Sequence, residues 1–107
     1  MNKRRSERYD TTLLLNIGNS SGGTDRWIEA KVLNVSRSGI AVMTDEELVK
    51  GVVYRAEINL HSGGKIKTLI SFVRTKERWN GFVYGGTFIG LDESDWAKIL
   101  VDEVFRR

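Results

Sequence analysis

Short segments in which apolar and polar residues alternate recur along most of this chain, and they constrain its fold more than any other feature. The segments are residues 12–17, 28–33, 53–60, 65–79 and 82–89, and the short apolar run 40–43 is a further predicted strand. A period of two places every second side chain on one face of an extended strand, so each segment predicts a β-strand with one buried face. Polar or glycine-containing turns separate the segments, and no helical pattern lies between them. The chain therefore predicts an antiparallel barrel rather than a parallel α/β sheet.

Only the final segment has a helical pattern. Asp92 and the acidic residues after it provide a cap and negative charge at a helix start. Trp96, Ile99, Leu100 and Val104 then recur at helical spacing. We expect an α-helix over about residues 92–106, with this apolar stripe lying on the barrel.

Three local signals refine the strand prediction. Asn80-Gly81 between two strands predicts a type I′ hairpin, in which both central residues need positive φ. The segment 65–79 is long for a single strand, so we expect a bend or bulge midway along it. The Gly85-Gly86 pair predicts a bend or a close approach of backbones.

Composition excludes several classes of function. At 107 residues the chain forms one domain, and it has no cysteine and a single histidine, so thiol nucleophiles, thiolate zinc sites and nucleophile–base pairs are excluded. His61 lies in a Ser-Gly-Gly turn, where we expect it to be exposed, and the acidic run 45–47 predicts a solvated loop. We therefore predict no enzyme, no metal and no cofactor. No apolar run approaches the roughly 18 residues of a membrane span, and no secretory signal is present, which predicts a soluble, cytoplasmic protein.

The net charge of +3 is concentrated at the N-terminus. Lys3, Arg4, Arg5 and Arg8 stand against Glu7 alone, whereas residues 9–107 contain 13 basic and 13 acidic side chains, which cancel. A protein that coats a nucleic-acid backbone more usually spreads basic residues over a face. A compact anion suits this cluster better, and the alternative is a solvated tail.

Two arginine pairs have the same spacing. Arg4 and Arg8 precede the first predicted strand, and guanidinium groups in such a pair can grip phosphate or read a guanine edge. Arg74 and Arg78 lie four residues apart within a predicted strand, where we expect a solvated outer row. Spacing does not distinguish the two pairs.

A polar turn, Asn34-x-Ser36-x-x-Gly39, connects the second and third predicted strands. Its amide and hydroxyl offer donors and acceptors to a base or phosphate, and Gly39 permits a close approach without a Cβ. The alternative is a structural turn in which Asn and Ser side chains bond to their own backbone.

Taken together and in this order, these motifs resemble those of the PilZ domains. The resemblance rests on Arg4-Arg5-Ser-Glu-Arg8, on Asn34-Val-Ser36-Arg-Ser-Gly39, and on Tyr84-Gly-Gly-Thr-Phe-Ile89 before the terminal helix. It implies an all-β fold, a six-stranded antiparallel Greek-key type β-barrel with a C-terminal α-helix. Residues 1–10 would be a flexible arm and residues 11–107 the barrel and helix. The resemblance also implies binding of the bacterial second messenger cyclic di-GMP, in control of motility or biofilm formation.

The family's ligand-binding roles transfer to matching positions in this chain. The resemblance implies that Arg4 and Arg8 grip phosphate and guanine, with Lys3 and Arg5 beside them. Asn34 and Ser36 would read the other guanine, and Gly39 would permit the close approach. Asn34 stands where many members have Asp, which implies a weaker acceptor for guanine N1 and N2. The resemblance further implies that the residue ahead of the pair influences how many ligand molecules bind, and basic Lys3 at that position favours two intercalated molecules.

The resulting hypothesis is a cyclic di-GMP receptor that orders its arm on the ligand and relays the signal to a protein partner or a fused domain. An alternative is a PilZ-like protein-interaction adaptor that does not bind nucleotide and contacts partners through Trp27, Trp79 and Phe82. We expect those aromatic side chains to pack on the barrel instead. A third candidate, a barrel for single-stranded nucleic acid, is disfavoured by the neutral barrel. We thus predict neither nucleic-acid partners nor membrane insertion.

Overall fold

The computed structural model describes residues 9–19 and 26–104. They form β1 (Tyr9–Asp10), β2 (Leu14–Asn19), β3 (Arg26–Val35), β4 (Gly39–Thr44), β5 (Val53–Asn59), β6 (Lys65–Arg78), β7 (Gly81–Ile89) and α1 (Glu93–Val104). Each predicted strand is present. The main difference is that β3 extends through Asn34 and Val35, which the sequence pattern had placed in the turn.

Six of the strands close into a barrel. Their order is β3-β2-β5-β6-β7-β4, every pairing is antiparallel, and β4 returns to pair with β3. Closure depends on the length of β3, which pairs with β2 up to Lys31 and with β4 from Lys31 onward. The predicted six-stranded antiparallel barrel with a C-terminal helix is confirmed.

The alternating segments bury their apolar faces inside the barrel, as the period of two predicts. The largest fully buried side chains include Leu15, Ile17, Ile70, Phe72 and Tyr84. The Tyr84 hydroxyl accepts a hydrogen bond from the Leu48 amide at 2.7 Å, which fixes the connection between β4 and β5 to the core.

Two local predictions have different outcomes in β6 and β7. The bulge in the long strand is confirmed, because the register with β7 shifts between Phe72 and Arg74. The type I′ hairpin is wrong. Arg78 pairs with Gly81, so the residues between the strands are Trp79 and Asn80. In the described part of the chain only glycines have positive φ, Gly81 among them.

At Gly86 the close neighbours are side chains of β6, whereas the sequence predicted a bend or a close approach of backbones. A Cβ on Gly86 would lie 2.7 Å from Ile70 Cγ2 and 2.8 Å from Phe72 Cδ1. Gly86 therefore leaves room for core side chains of β6.

The start of α1 follows the prediction. Asp92 Oδ1 accepts a hydrogen bond from the Asp95 amide at 2.8 Å, which is an N-cap contact. Ile99 is fully buried against the barrel and Trp96 packs at the edge of the core. Residues 105 and 106 of the predicted helix lie outside the described residues.

The last turn of α1 holds two buried acids that the apolar stripe did not predict. Asp102 is 7% exposed and Glu103 is 3% exposed. Burial would raise the pKa of Asp102, but hydrogen bonds from the His61 and Ser62 amides outweigh it and hold that pKa below its ordinary value. Among the described residues, no helix is long and apolar enough to cross a membrane.

Candidate functional site

Strand β1 lies beside the polar turn. Tyr9 pairs with Val35 and Asp10 pairs with Asn34, so these two residues of the predicted arm belong to the sheet. Lys3, Arg4, Arg5 and Arg8 lie outside the described residues, and the division of the chain at residue 10 stays a prediction. In the sequence, Arg8 directly precedes Tyr9.

Ser36 is turned into its own loop. Its side chain is buried, and its Oγ accepts a hydrogen bond from the Gly39 amide at 3.1 Å. The Ser36 amide in turn donates to the Gly39 carbonyl at 2.8 Å. These contacts match the structural alternative for this motif. A direct contact between Ser36 and a ligand stays a prediction.

Gly39 has a structural reason to lack a side chain. A Cβ at this position would lie 2.6 Å from the carbonyl oxygen of Gly86 on β7. Because that neighbour is backbone, it could not move aside without disturbing the barrel. The absence of a Cβ is thus required by strand packing, whether or not a ligand also approaches here.

Asn34 begins a row of paired residues that runs across the outer surface of four strands. Asn34 on β3 pairs with Ala41 on β4, Ala41 with Gly85 on β7, and Gly85 with Arg74 on β6. Directly paired residues share a face, so we name Asn34, Ala41, Gly85 and Arg74 the cross-strand row. Neighbouring strands lie about 4.8 Å apart, so its ends are separated by about 14 Å along the sheet.

The centre of the cross-strand row carries no large side chain, because its two central residues are Ala41 and Gly85. They form the floor of the row. The Arg74 guanidinium extends over the glycine, since a Cβ on Gly85 would lie only 3.1 Å from Arg74 Nη2. An open groove above Ala41 and Gly85 is also lined by Lys50 and Lys76. Its lining thus includes three basic and no acidic side chains, which favours an anionic ligand.

The register gives Arg74 and Arg78, which the sequence pattern places in one outer row, different surroundings. Arg74 and Arg78 are both exposed, as the predicted outer row requires. Arg78, however, pairs with Gly81 at the hairpin end, about 13 Å along the strand from Arg74. Without the bulge, Val73 would stand opposite Gly85. The sequence predicted a bulge midway along this segment but not the exact residue at which the register shifts, so the contribution of Arg74 to this surface was missed.

Helix α1 contacts both chain segments that flank the cross-strand row. Arg37, inside the polar turn, forms an ion pair with Glu93 in the first turn of the helix. The ring of Tyr9 lies 6.1 Å from that of Trp96, at an interplanar angle of 47°. The N-terminal half of α1 therefore touches the turn and β1 together.

The aromatic residues of the adaptor hypothesis lie in different environments. Phe82 packs against the core, as expected. Trp79 is 95% exposed at the β6–β7 hairpin, so the prediction that it packs on the barrel is wrong. Trp27 is 45% exposed, with the Arg55 guanidinium 5.3 Å from its ring centroid.

Comparisons with solved structures agree with this fold. The PilZ domain with c-di-GMP of YcgR from Escherichia coli is 13% identical, with a TM-score of 0.71, over 92% of this chain and 86% of that domain. MotI/DgrA, an inhibitor of motility from Bacillus subtilis, is 19% identical, with a TM-score of 0.75, over 99% of this chain and 51% of its own length. A structure of E. coli YcgR in complex with c-di-GMP is 14% identical, with a TM-score of 0.72, over 91% of this chain. The match spans 42% of that YcgR chain, so this chain corresponds to about half or less of either longer protein.

The family assignment comes from comparison of the amino-acid sequence. No curated protein sequence matches the chain significantly. The family model described as the PilZ domain, in contrast, matches residues 2–106, nearly the whole chain. This chain belongs to the PilZ domain family.

Proposed function

We propose that this chain is a receptor for cyclic di-GMP and that the ligand lies on the cross-strand row. The observation that carries the proposal is the row itself, in which Asn34 and Arg74 lie at the two ends of a floor made by Ala41 and Gly85. The family supports the same ligand, and two of the similar structures contain c-di-GMP.

The chemistry of the row suits a guanine nucleotide. A flat purine fits over a floor without large side chains, and the Asn34 amide can pair with a base edge. The Arg74 guanidinium can stack on a base, read guanine O6 and N7, or bind a phosphate. Lys50 and Lys76 add positive charge for a ligand with two phosphates.

The N-terminal arginines complete the proposed site. Arg8 is bonded to Tyr9, whose strand partner is next to Asn34. The ligand would lie between the barrel surface and the N-terminal segment. Arg4 and Arg8 would bind its phosphate and guanine groups, and Lys3 and Arg5 would add positive charge. Ordering of the arm is the expected conformational response.

Ser36 and Gly39 act as positioning residues in this proposal. Ser36 holds the turn through its bond with the Gly39 amide, and Gly39 lets β4 approach β7. Both keep Asn34 in register with Ala41. Their loss would weaken ligand binding through the shape of the turn.

The signal would pass to a protein partner, or to a fused domain, through the N-terminal half of α1. Tyr9 and Arg37 contact this half through Trp96 and Glu93, so a change in the arm or turn alters its surface. PilZ domains are ligand-binding receptors rather than enzymes, and the proposal includes no catalysis. We place the protein in the cytoplasm, without nucleic acid or membrane insertion.

Calorimetric titration with cyclic di-GMP tests the proposal. We expect saturable binding by the wild type and a loss of about 10- to 100-fold for Arg4→Ala, Arg8→Ala and Arg74→Ala, because each removes a contact of a charged group worth about 1.5–3 kcal/mol. Asn34→Ala should lose about 2- to 10-fold, because it removes a neutral hydrogen bond worth about 0.5–1.5 kcal/mol. Arg78→Ala is the matched control and should bind like the wild type. Absence of binding by the wild type would reject the proposal, and equal effects of Arg74→Ala and Arg78→Ala would reject the cross-strand row.

A second candidate is the adaptor that binds protein and no nucleotide. The exposed Trp79 and the Trp27–Arg55 pair favour it, since exposed aromatic side chains are common at interfaces. It predicts partner capture that is unaffected by cyclic di-GMP and lost in Trp79→Ser. Ligand-dependent capture that survives Trp79→Ser would favour the receptor instead.

A further inference from the structure

A cluster of titratable side chains lies away from the cross-strand row, where the β5–β6 hairpin meets the end of α1. It consists of His61 in the hairpin turn and of Asp102 and Glu103 in the helix. One ligand atom from each residue lies within 4.8 Å of the others. His61 is the only histidine of the chain. His61 is exposed, as its turn predicted, and its side chain retains 28% of its accessible surface beside the buried carboxylates.

Asp102 is fixed in place by the hairpin backbone. Its Oδ2 accepts a hydrogen bond from the His61 amide at 2.8 Å, and its Oδ1 accepts one from the Ser62 amide at 3.0 Å. The Ser62 side chain adds a third hydrogen bond to this carboxylate, whose two oxygens together offer about four lone-pair sites. Asp102 can therefore hold the hairpin and still offer an oxygen to a cation.

Within the described chain, Glu103 is a buried carboxylate without a hydrogen-bond partner, which supports a cation site independently of the clustering of the three side chains. The residue is 3% exposed, and neither of its carboxylate oxygens has a hydrogen-bond partner in the described part of the chain. Oε2 lies 3.2 Å from His61 Nε2, without the geometry of a hydrogen bond. Burying a carboxylate without such partners is costly, and a bound cation would compensate for it.

We propose that His61, Asp102 and Glu103 bind a divalent transition-metal ion of the zinc class. One imidazole with two carboxylates suits such an ion, whereas Mg²⁺ and Ca²⁺ prefer oxygen ligands alone. Bonds of about 2.1 Å separate tetrahedral ligand atoms by about 3.4 Å, close to the 3.2 Å between His61 and Glu103. The partly exposed imidazole gives the ion a route from solvent, and water would complete the coordination. The ion would join α1 to the hairpin.

The first test uses the single imidazole as its reporter. The full chain is treated with a chelator, exchanged into metal-free buffer and titrated with Zn²⁺, while long-range ¹H–¹⁵N NMR spectra of the imidazole are recorded. We expect one saturable transition of the His61 signals at one equivalent, together with an increase in thermal stability that depends on Zn²⁺ concentration. Signals that do not move, or that drift without saturation, overturn the proposal.

The second test separates metal binding from a simple contact between His61 and Glu103. Glu103→Gln keeps the side-chain shape and removes the charge, and Asp95→Asn on the same helix is the matched control. We expect Zn²⁺ affinity to fall in Glu103→Gln by more than the 10- to 100-fold or so that loss of a supporting residue costs, and to be unchanged in Asp95→Asn. If Glu103→Gln binds Zn²⁺ as the wild type does, the proposal is wrong. The Zn²⁺ titration contains no nucleotide, so its failure leaves the cyclic di-GMP proposal intact.

Discussion

The two ends of α1 are attached to the barrel by different kinds of contact. At its C-terminal end, the buried Asp102 carboxylate accepts hydrogen bonds from two hairpin amides. At its N-terminal end, the contacts include an ion pair between the largely exposed side chains of Arg37 and Glu93, a tilted ring pair of Tyr9 with Trp96, and packing of Trp96 at the edge of the core.

The difference indicates which end can respond to a ligand. Hydrogen bonds to a buried charge contribute more to stability than exposed ion pairs, which are screened by water and salt. The C-terminal end is thus the fixed attachment, and the N-terminal end, beside the polar turn and β1, is the adjustable one. The predictions below test this contrast, from the largest effect to the smallest.

The largest effect is expected from Asp102→Asn. The amide keeps only one acceptor oxygen and turns an NH₂ group toward a backbone amide, so we expect a loss of about 2–3 kcal/mol in the free energy of unfolding. Urea denaturation in the presence of a chelator measures it. Asp95→Asn, near the helix start, should cost about 0.5 kcal/mol. Equal losses in the two variants would contradict the contrast between the ends.

The same carboxylate predicts a dependence on pH. Its folded-state pKa lies below the ordinary value of 3.8, so protonation favours the unfolded chain. The stability difference between the wild type and Asp102→Asn should be fully present above that ordinary value and shrink as the pH falls through the folded-state pKa. Chelator-treated samples compared by urea denaturation at successive pH values measure it. If the stability difference between the wild type and Asp102→Asn persisted at low pH, the negative charge of Asp102 would not be the origin of that difference.

Gly39→Ala should have the next largest effect, at the polar turn. Its Cβ would meet the Gly86 carbonyl oxygen at 2.6 Å, and overpacking of this kind costs about 1–3 kcal/mol. Thermal unfolding without ligand measures it. Gly64→Ala is the control, because its Cβ would meet only Leu60 Cδ1, at 3.6 Å. A stable Gly39→Ala variant would show that strand packing does not require this glycine.

Tyr9→Leu tests the ring pair at the adjustable end. It keeps an apolar side chain and removes the aromatic contact with Trp96, for an expected loss of about 0.5–1.5 kcal/mol in urea denaturation. Trp79→Leu should change stability very little, since that ring is 95% exposed. If Tyr9→Leu lost as much stability as Asp102→Asn, the N-terminal end would also be a fixed attachment.

The smallest effect is expected from Arg37→Ala. Exposed ion pairs contribute about 0–1 kcal/mol, and a double-mutant cycle with Glu93→Ala isolates the contribution of this pair. We expect a coupling energy below about 0.5 kcal/mol at physiological salt. A much larger coupling energy would show that the N-terminal end of α1 is strongly attached, which would contradict the contrast between the two ends.

The sequence determined the features that depend on local patterns. Alternation over short segments predicted the strands and the inward faces of residues such as Ile17 and Ile70, because the period of a strand is a property of the chain itself. The cap at Asp92 followed from local hydrogen bonding in the same way. The order of the motifs was sufficient to identify the family, although the arginine motif itself lies outside the described residues.

The tertiary structure decided whatever depends on register and on contacts between distant segments. The exact position of the bulge places Arg74, rather than Val73, opposite Gly85, and strand pairing brings that position level with Asn34. Gly39 proved to face a backbone oxygen of another strand. Asp102 and Glu103 are buried because the β5–β6 hairpin folds against them, which the apolar stripe of the helix did not predict. A one-residue shift in pairing changes every such neighbour, and the sequence pattern does not specify that shift.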